Sequence, residues 1–168
     1  MPAGPGPRPE GRAARLFQLL RHPGFREGVH WRRRRLGPDA VVFSEGDAGR
    51  DVYLVLEGRV RVVGNVDLDA HRRLHPGFSD LGPGEVFGEL ALFDRQPRSA
   101  TVTTVAPTEL AVLDGERLLA FLDAHPEVGY PIFKELIFLL AGRLRQANRR
   151  VFSIFAWALR ERGIDREL

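Results

Sequence analysis

Glu89 and Arg98 stand nine positions apart across a short apolar patch, and Ser99 follows the arginine directly, in the stretch GELALFDRQPRSAT at residues 88–101. Arg98 can meet a phosphate through two parallel charge-assisted hydrogen bonds. Ser99 adds a hydroxyl and its own amide. Gly88 has no side chain and lets the backbone come close to a guest. The first amides of a very short helix expected at 89–93 have no internal acceptor, so they suit an anion. Glu89 would repel that anion, yet a carboxylate accepts a hydrogen bond from a sugar hydroxyl. Two readings stay open: a structural ion pair between Glu89 and Arg98, or two charges that grip different parts of one small ligand.

Positioning such groups needs a scaffold, and the chain changes texture three times. Residues 1–11, opening MPAGPGPRPE, are rich in Pro and Gly and read as a disordered tail. An N-terminal helical segment covers 12–28, where Ala14, Leu16, Leu19 and Leu20 fall close to one face before His22-Pro23-Gly24 stops the helix. Between 29 and 115 come short β-rich runs at 29–36, 40–43, 52–56, 59–63, 72–74, 98–105 and 110–113. The turn-forming clusters LGPDA, SEGDAG, LEG, HPG and LGPG separate them. Several short strands at this spacing predict a β-barrel or roll.

Residues 116–168 are helical: ERLLAFLDAH forms one helix, and a longer one runs from about 130 to 162. Along the longer helix Phe133, Ile137, Leu140, Leu144, Ala147, Val151, Ile154 and Ala158 follow alternating four- and three-residue steps. That a/d seam favours a homodimer through this helix over packing along its own barrel. Phe152, Phe155 and Trp157 lie off the seam and leave apolar surface for a ligand, the barrel or a further partner.

Composition narrows the function classes. A length of 168 residues suggests one domain with a real core. A chain that is 43% hydrophobic and 28% charged matches soluble globular proteins. Net charge is only +3, and arginine replaces lysine nearly everywhere, Lys134 being the single exception, which suggests coding bias rather than nucleic-acid binding. Absence of cysteine excludes disulfides and Cys-based metal sites and fits a reducing compartment. The first residues lack a signal-peptide core and the longest apolar runs are too short to cross a bilayer, so no membrane role and a cytoplasmic location are expected.

WRRRR at 31–35 sits in a strand candidate, where alternate side chains point to opposite faces, so a solvated, ion-paired strand is expected rather than a phosphate-binding patch. Arg143, Arg145, Arg149 and Arg150 read as the wet face of the long helix. His71 and His75 are four apart but flank a strand-to-turn region, which disfavours a metal pair. Asp47 and Asp51 read as turn residues. No set of Ser, His and Asp forms a nucleophile pattern, so no catalytic residue, metal or cofactor is assigned.

The segment FGELALFDRQPRSAT resembles the phosphate-binding cassette of cyclic nucleotide-binding domains, found in bacterial catabolite activators, regulatory subunits of cyclic-AMP-dependent kinase and cyclic-nucleotide-gated channels. EGDAGRDVYLVLEGRVRVV, residues 45–63, is similar to the Gly-punctuated strands of that family, and the order of elements agrees over roughly 16–160. The resemblance implies a mainly β fold with flanking helices: an eight-stranded, jelly-roll-like β-roll, an N-terminal helix, a short B helix and a long C-terminal helix. It implies that Glu89 takes the ribose 2′-hydroxyl and that Arg98 and Ser99 hold the cyclic phosphate. Backbone around Gly88, Glu89, Leu90 and Ala100 would line the same ligand, with Gly46, Gly49 and Gly58 turning the strands. Ser99 follows the bacterial activator pattern, whereas members preferring cyclic GMP often carry Thr there, so cyclic AMP is preferred as ligand over cyclic GMP.

Midway along the long helix the activators use polar residues to contact adenine. The matching positions are Ala147, which cannot hydrogen-bond through its side chain, and Asn148, which can read the base. Members that bind no nucleotide usually lose the acid or the arginine; this chain keeps both. The activators continue into a helix-turn-helix, and with the chain ending at Leu168 the expected output is contact with a protein effector rather than direct DNA binding. The alternatives are a nucleotide-free β-roll scaffold and a truncated relative of a transcription regulator.

Overall fold

Residues 52–56 carry Val, Tyr and Leu with no polar interruption, a run that suits a strand buried on both faces. In the computed structural model, which describes residues 13–64, 66–69, 72–74 and 77–161, it forms β3 (Val52–Glu57). Its neighbour β10 (Thr108–Leu113) is buried throughout 110–113. β10 pairs antiparallel with β3 on one side and with β1 (Trp31–Leu36) on the other, and β8 (Val86–Phe87) joins the far edge of β3. A second antiparallel sheet runs β2 (Val41–Phe43), β9 (Thr101–Thr104), β4 (Val60–Val63), β7 (Gly77–Leu81). The two four-stranded sheets make the expected eight-stranded roll, and β5 (Val66–Asp69) with β6 (Arg72–Leu74) adds a separate hairpin.

Period-two alternation sets the core. Tyr53, Val55, Leu110 and Val112 of the first sheet cluster with Val42, Val60 and Val102 of the second. The intervening Val52, Leu54, Ala111 and Leu113 are buried as well, so the first sheet is covered on both sides. The turn from β3 into β4 is closed by Gly58 at φ 85°, where an added Cβ would lie 2.2 Å from the Pro107 carbonyl oxygen. No side chain fits there.

The helices are α1 (Ala14–Leu19), α2 (Leu90–Asp94), α3 (Gly115–Ala124) and α4 (Pro126–Glu161). Asp114 caps α3 by accepting from the Arg117 amide at 3.0 Å. α4 begins four residues before the position read from the sequence. Pro126 suits a first helical turn, and Pro131 forfeits only one bond near the start.

Three strands are absent from the sequence reading. β7, GFSDL, lacks β-branched residues, β8 is two residues long, and β5 alternates Asp with Val and Leu. The strand read at 98–105 shrinks to β9 because the main chain of Arg98 pairs elsewhere: its amide donates to Asp47 O at 2.9 Å and its oxygen accepts from the Gly46 amide at 2.8 Å. The tail 1–11 and the pair His71 and His75 lie outside the described residues.

The chain forms two compact units, one ending at Ile132 and the other starting at Phe133. In the second, α4 continues as one helix along which the seam residues Ile137, Leu144, Val151 and Ile154 are exposed, as are Phe152, Phe155 and Trp157. Arg145, Asn148, Arg149 and Arg150 are exposed there too, and Arg143 is half-buried. Among the described residues no helix is long and apolar enough to cross a membrane, and no group of three or more His, Cys, Asp or Glu could hold a metal ion.

Candidate ligand-binding site

The cassette begins where β8 ends. Gly88 has φ 78°, a left-handed conformation that turns the chain sharply into Glu89. Glu89 is the N-cap of α2 and only 3% exposed. Leu90 opens the helix and is exposed. α2 spans five residues, one residue later than the 89–93 read from sequence, so individual amides rather than a macrodipole are what it presents to an anion. Arg95 ends it in the left-handed region at φ 56°, and Pro97 leads into Arg98. Ser99 is exposed and Ala100 half-buried before β9 starts.

Arg98 is only 5% exposed. A guanidinium withdrawn from water needs acceptors, and it finds main-chain oxygens: Nη1 donates to Gly88 O at 3.0 Å and Nη2 to Asp51 O at 2.9 Å. Both of these side-chain bonds end on neutral main-chain carbonyls. The Arg98 guanidinium carbon lies 4.4 Å from the Phe43 ring centroid and 5.5 Å from that of Tyr53. Tyr53 in turn stacks on Phe87, centroids 5.0 Å apart. Burial raises the Tyr53 phenol above its ordinary range, and the Arg98 charge acts in the opposite sense.

The loop at 46–51 is stitched to this arginine. Besides the Gly46 and Asp47 main-chain bonds, Gly49 passes so close that a Cβ there would lie 3.3 Å from Arg98 Nη2. Asp47 is a turn residue as expected, its carboxylate accepting from the Ser44 amide at 2.8 Å. Gly46, Gly49 and Gly58 all have positive φ. Sequence reading brings Gly88, Glu89, Leu90, Arg98, Ser99 and Ala100 to one cassette, and the structure has them there; Asn148 lies on α4 in the second unit. What it did not reach is the cage around Arg98: Phe43, Tyr53, Gly49 and the Asp51 carbonyl. The available signal was indirect, since a buried arginine beside a glycine-rich loop takes carbonyl acceptors from that loop.

Three of the four arginines of WRRRR are ion-paired. Arg33 and Arg35 each reach Glu109 at 2.7 Å, and Arg32 lies 3.5 Å from Asp51. These bonds hold the Glu109 carboxyl below its usual range, the bond from Arg35 contributing most and that from Arg33 next. Arg34 donates to Val42 O at 3.3 Å.

A two-sheet antiparallel roll that holds a buried guanidinium and a buried carboxylate in one cassette defines a class of small-ligand binding domain. The family profile described as "Cyclic nucleotide-binding domain" matches residues 33–125. The cyclic AMP receptor protein of Thermus thermophilus is 39% identical over 122 residues, which cover 69% of this chain and 50% of the relative. A CRP-like cAMP-activated global transcriptional regulator of Mycobacterium tuberculosis is 31% identical over 111 residues, 66% of this chain and 46% of the relative. The solved catabolite activator protein of Thermus thermophilus superposes with a TM-score of 0.64 at 32% identity, covering 83% of this chain and 58% of that one. The chain belongs to the cyclic nucleotide-binding domain family. It spans about half the length of the curated relatives it matches.

Proposed function

We propose that the protein is a non-enzymatic sensor of a cyclic nucleotide, cyclic AMP in preference to cyclic GMP, which passes its signal to a protein effector. One observation carries this reading: Arg98 is buried as a cation on two neutral carbonyls, so its charge stays uncompensated by its hydrogen-bond partners. With two of five N–H donors engaged, the guanidinium can still meet the cyclic phosphate, aided by Ser99 and the amides near Gly88, Glu89 and Ala100. Glu89 takes the ribose 2′-hydroxyl, Leu90 lines the same stretch and Asn148 reads the base. The relatives in Thermus and Mycobacterium, described by their cyclic AMP dependence, support the choice of ligand. Calorimetric titration with cyclic AMP and cyclic GMP, repeated on Arg98→Ala, tests it. The substitution should weaken cyclic AMP binding by roughly 2–4 kcal/mol. Equal affinity of the two proteins, or no heat from either nucleotide, would end the sensor reading.

The exposed seam on α4 supports a homodimer through that helix. Sedimentation velocity at micromolar concentration should show a dimer that Leu144→Glu with Val151→Glu converts to monomer, and a monomeric parent protein would refute the seam. The ion pairs of Arg32, Arg33 and Arg35 on β1 support effector contact over direct DNA binding as the output.

A further inference from the structure

The two carbonyl bonds of Arg98 leave its guanidinium free to tilt. Hydrogen bonds to Gly88 O at 3.0 Å and Asp51 O at 2.9 Å tie down the two terminal nitrogens of the planar group; two such points do little against rocking about the line joining them. Close approaches limit that motion. Added Cβ atoms at Gly88 and Gly49 would sit 2.9 Å from Nη1 and 3.3 Å from Nη2, so bare backbone crowds both nitrogens. Phe43 stands with its ring centroid 4.4 Å from the guanidinium carbon. The ring is itself fixed: Phe43 ends β2, pairs with Val102 of β9, and leans on Tyr53 and Phe87 at centroid distances of 5.4 and 5.9 Å.

We propose that Phe43 is a positioning residue for the phosphate-binding arginine, its ring face holding the Arg98 guanidinium in the orientation that receives the ligand anion. The inference rests on the sensor reading above and deepens it. An aromatic face attracts a delocalised cation electrostatically, and the attraction strengthens where water is excluded, as it is around a nearly buried arginine. An aliphatic side chain of similar bulk would fill the same space without that attraction. Phe43 therefore acts through Arg98 and touches no reacting atom.

A double-mutant cycle separates this role from simple packing. Cyclic AMP affinity would be measured for the parent, Phe43→Leu, Phe43→Tyr, Arg98→Gln and the Phe43→Leu/Arg98→Gln pair. Phe43→Leu should lose about tenfold in affinity when Arg98 is present and less than about twofold when it is Gln, while Phe43→Tyr stays within about threefold of the parent. In ligand-free protein, NMR should find the Arg98 Nε proton shifted upfield by the ring, and the shift should vanish in Phe43→Leu. Equal losses in both backgrounds, no loss in Phe43→Leu, or an Nε proton indifferent to the substitution each overturn the positioning role and leave the sensor reading intact. A parent protein that binds neither nucleotide removes the sensor reading and this role with it.

Discussion

Arg98 and the arginines of β1 carry the same group into opposite surroundings. Arg35 is 81% exposed and shares Glu109 with Arg33, each at 2.7 Å; Arg98 is 5% exposed and donates through Nη1 and Nη2 to main-chain carbonyls. In the first place a carboxylate cancels the charge, and water screens what is left. In the second, carbonyl dipoles and an aromatic face hold the cation without cancelling it. Burial by itself would be costly, so the second arrangement makes sense where a mobile anion is to complete it. Fold stability calls for the first kind of arginine, and ligand capture for the second.

The comparison breaks most visibly at Arg98, where removal should weaken nucleotide binding by roughly 2–4 kcal/mol while β1 substitutions leave it alone. Next in size is Gly88→Ala. Its φ of 78° disfavours any Cβ, and that Cβ would meet Arg98 Nη1 at 2.9 Å and Asp51 O at 3.1 Å. Strain of this kind costs roughly 1–3 kcal/mol of stability by thermal or chemical denaturation. On the sensor reading, affinity should fall further than partial unfolding accounts for, because the displaced group belongs to the guanidinium proposed to meet the phosphate. An Ala variant with parental affinity would show that the cage around Arg98 is not needed for binding.

Much of the cassette was legible because its chemistry is local. Glycine before an acid, then an arginine followed by a hydroxyl, fixes residue types along fourteen consecutive positions. The roll was legible from Gly- and Pro-rich punctuation between apolar runs, so the strands from 29 to 63 and from 110 to 113 emerge within a residue or two. β7 and β8 were not, since GFSDL and the pair Val86–Phe87 carry no period of their own and pair only because β4 and β3 are already in place. The Arg98 cage was illegible for the same reason. Phe43, Tyr53 and Asp51 lie 55, 45 and 47 positions away in sequence, and only sheet pairing brings them to one guanidinium. Local spacing encodes what a residue can bind; long-range pairing decides how it is held.

The smallest expected effect sharpens the β1 side. Glu109 is held below the usual carboxylate range by its bonds to Arg35 and then Arg33. Its folded value is thus lower than its unfolded one, and in the window between them the unfolded chain binds more protons. The stabilisation is fully present above the unfolded value, near pH 4.5 for glutamate, and is lost as pH falls through the depressed folded value. Asp80, depressed by Arg61, contributes in the same direction on an exposed surface. Glu109→Gln should therefore flatten part of the acid limb of a stability-versus-pH curve, cost on the order of 1 kcal/mol at neutral pH, and leave cyclic AMP affinity unchanged. Urea melts from pH 3 to 7 read the first two, and calorimetry the third. A change in affinity would mean that the charge balance at β1 reaches the ligand, and that the two kinds of arginine are coupled rather than separate.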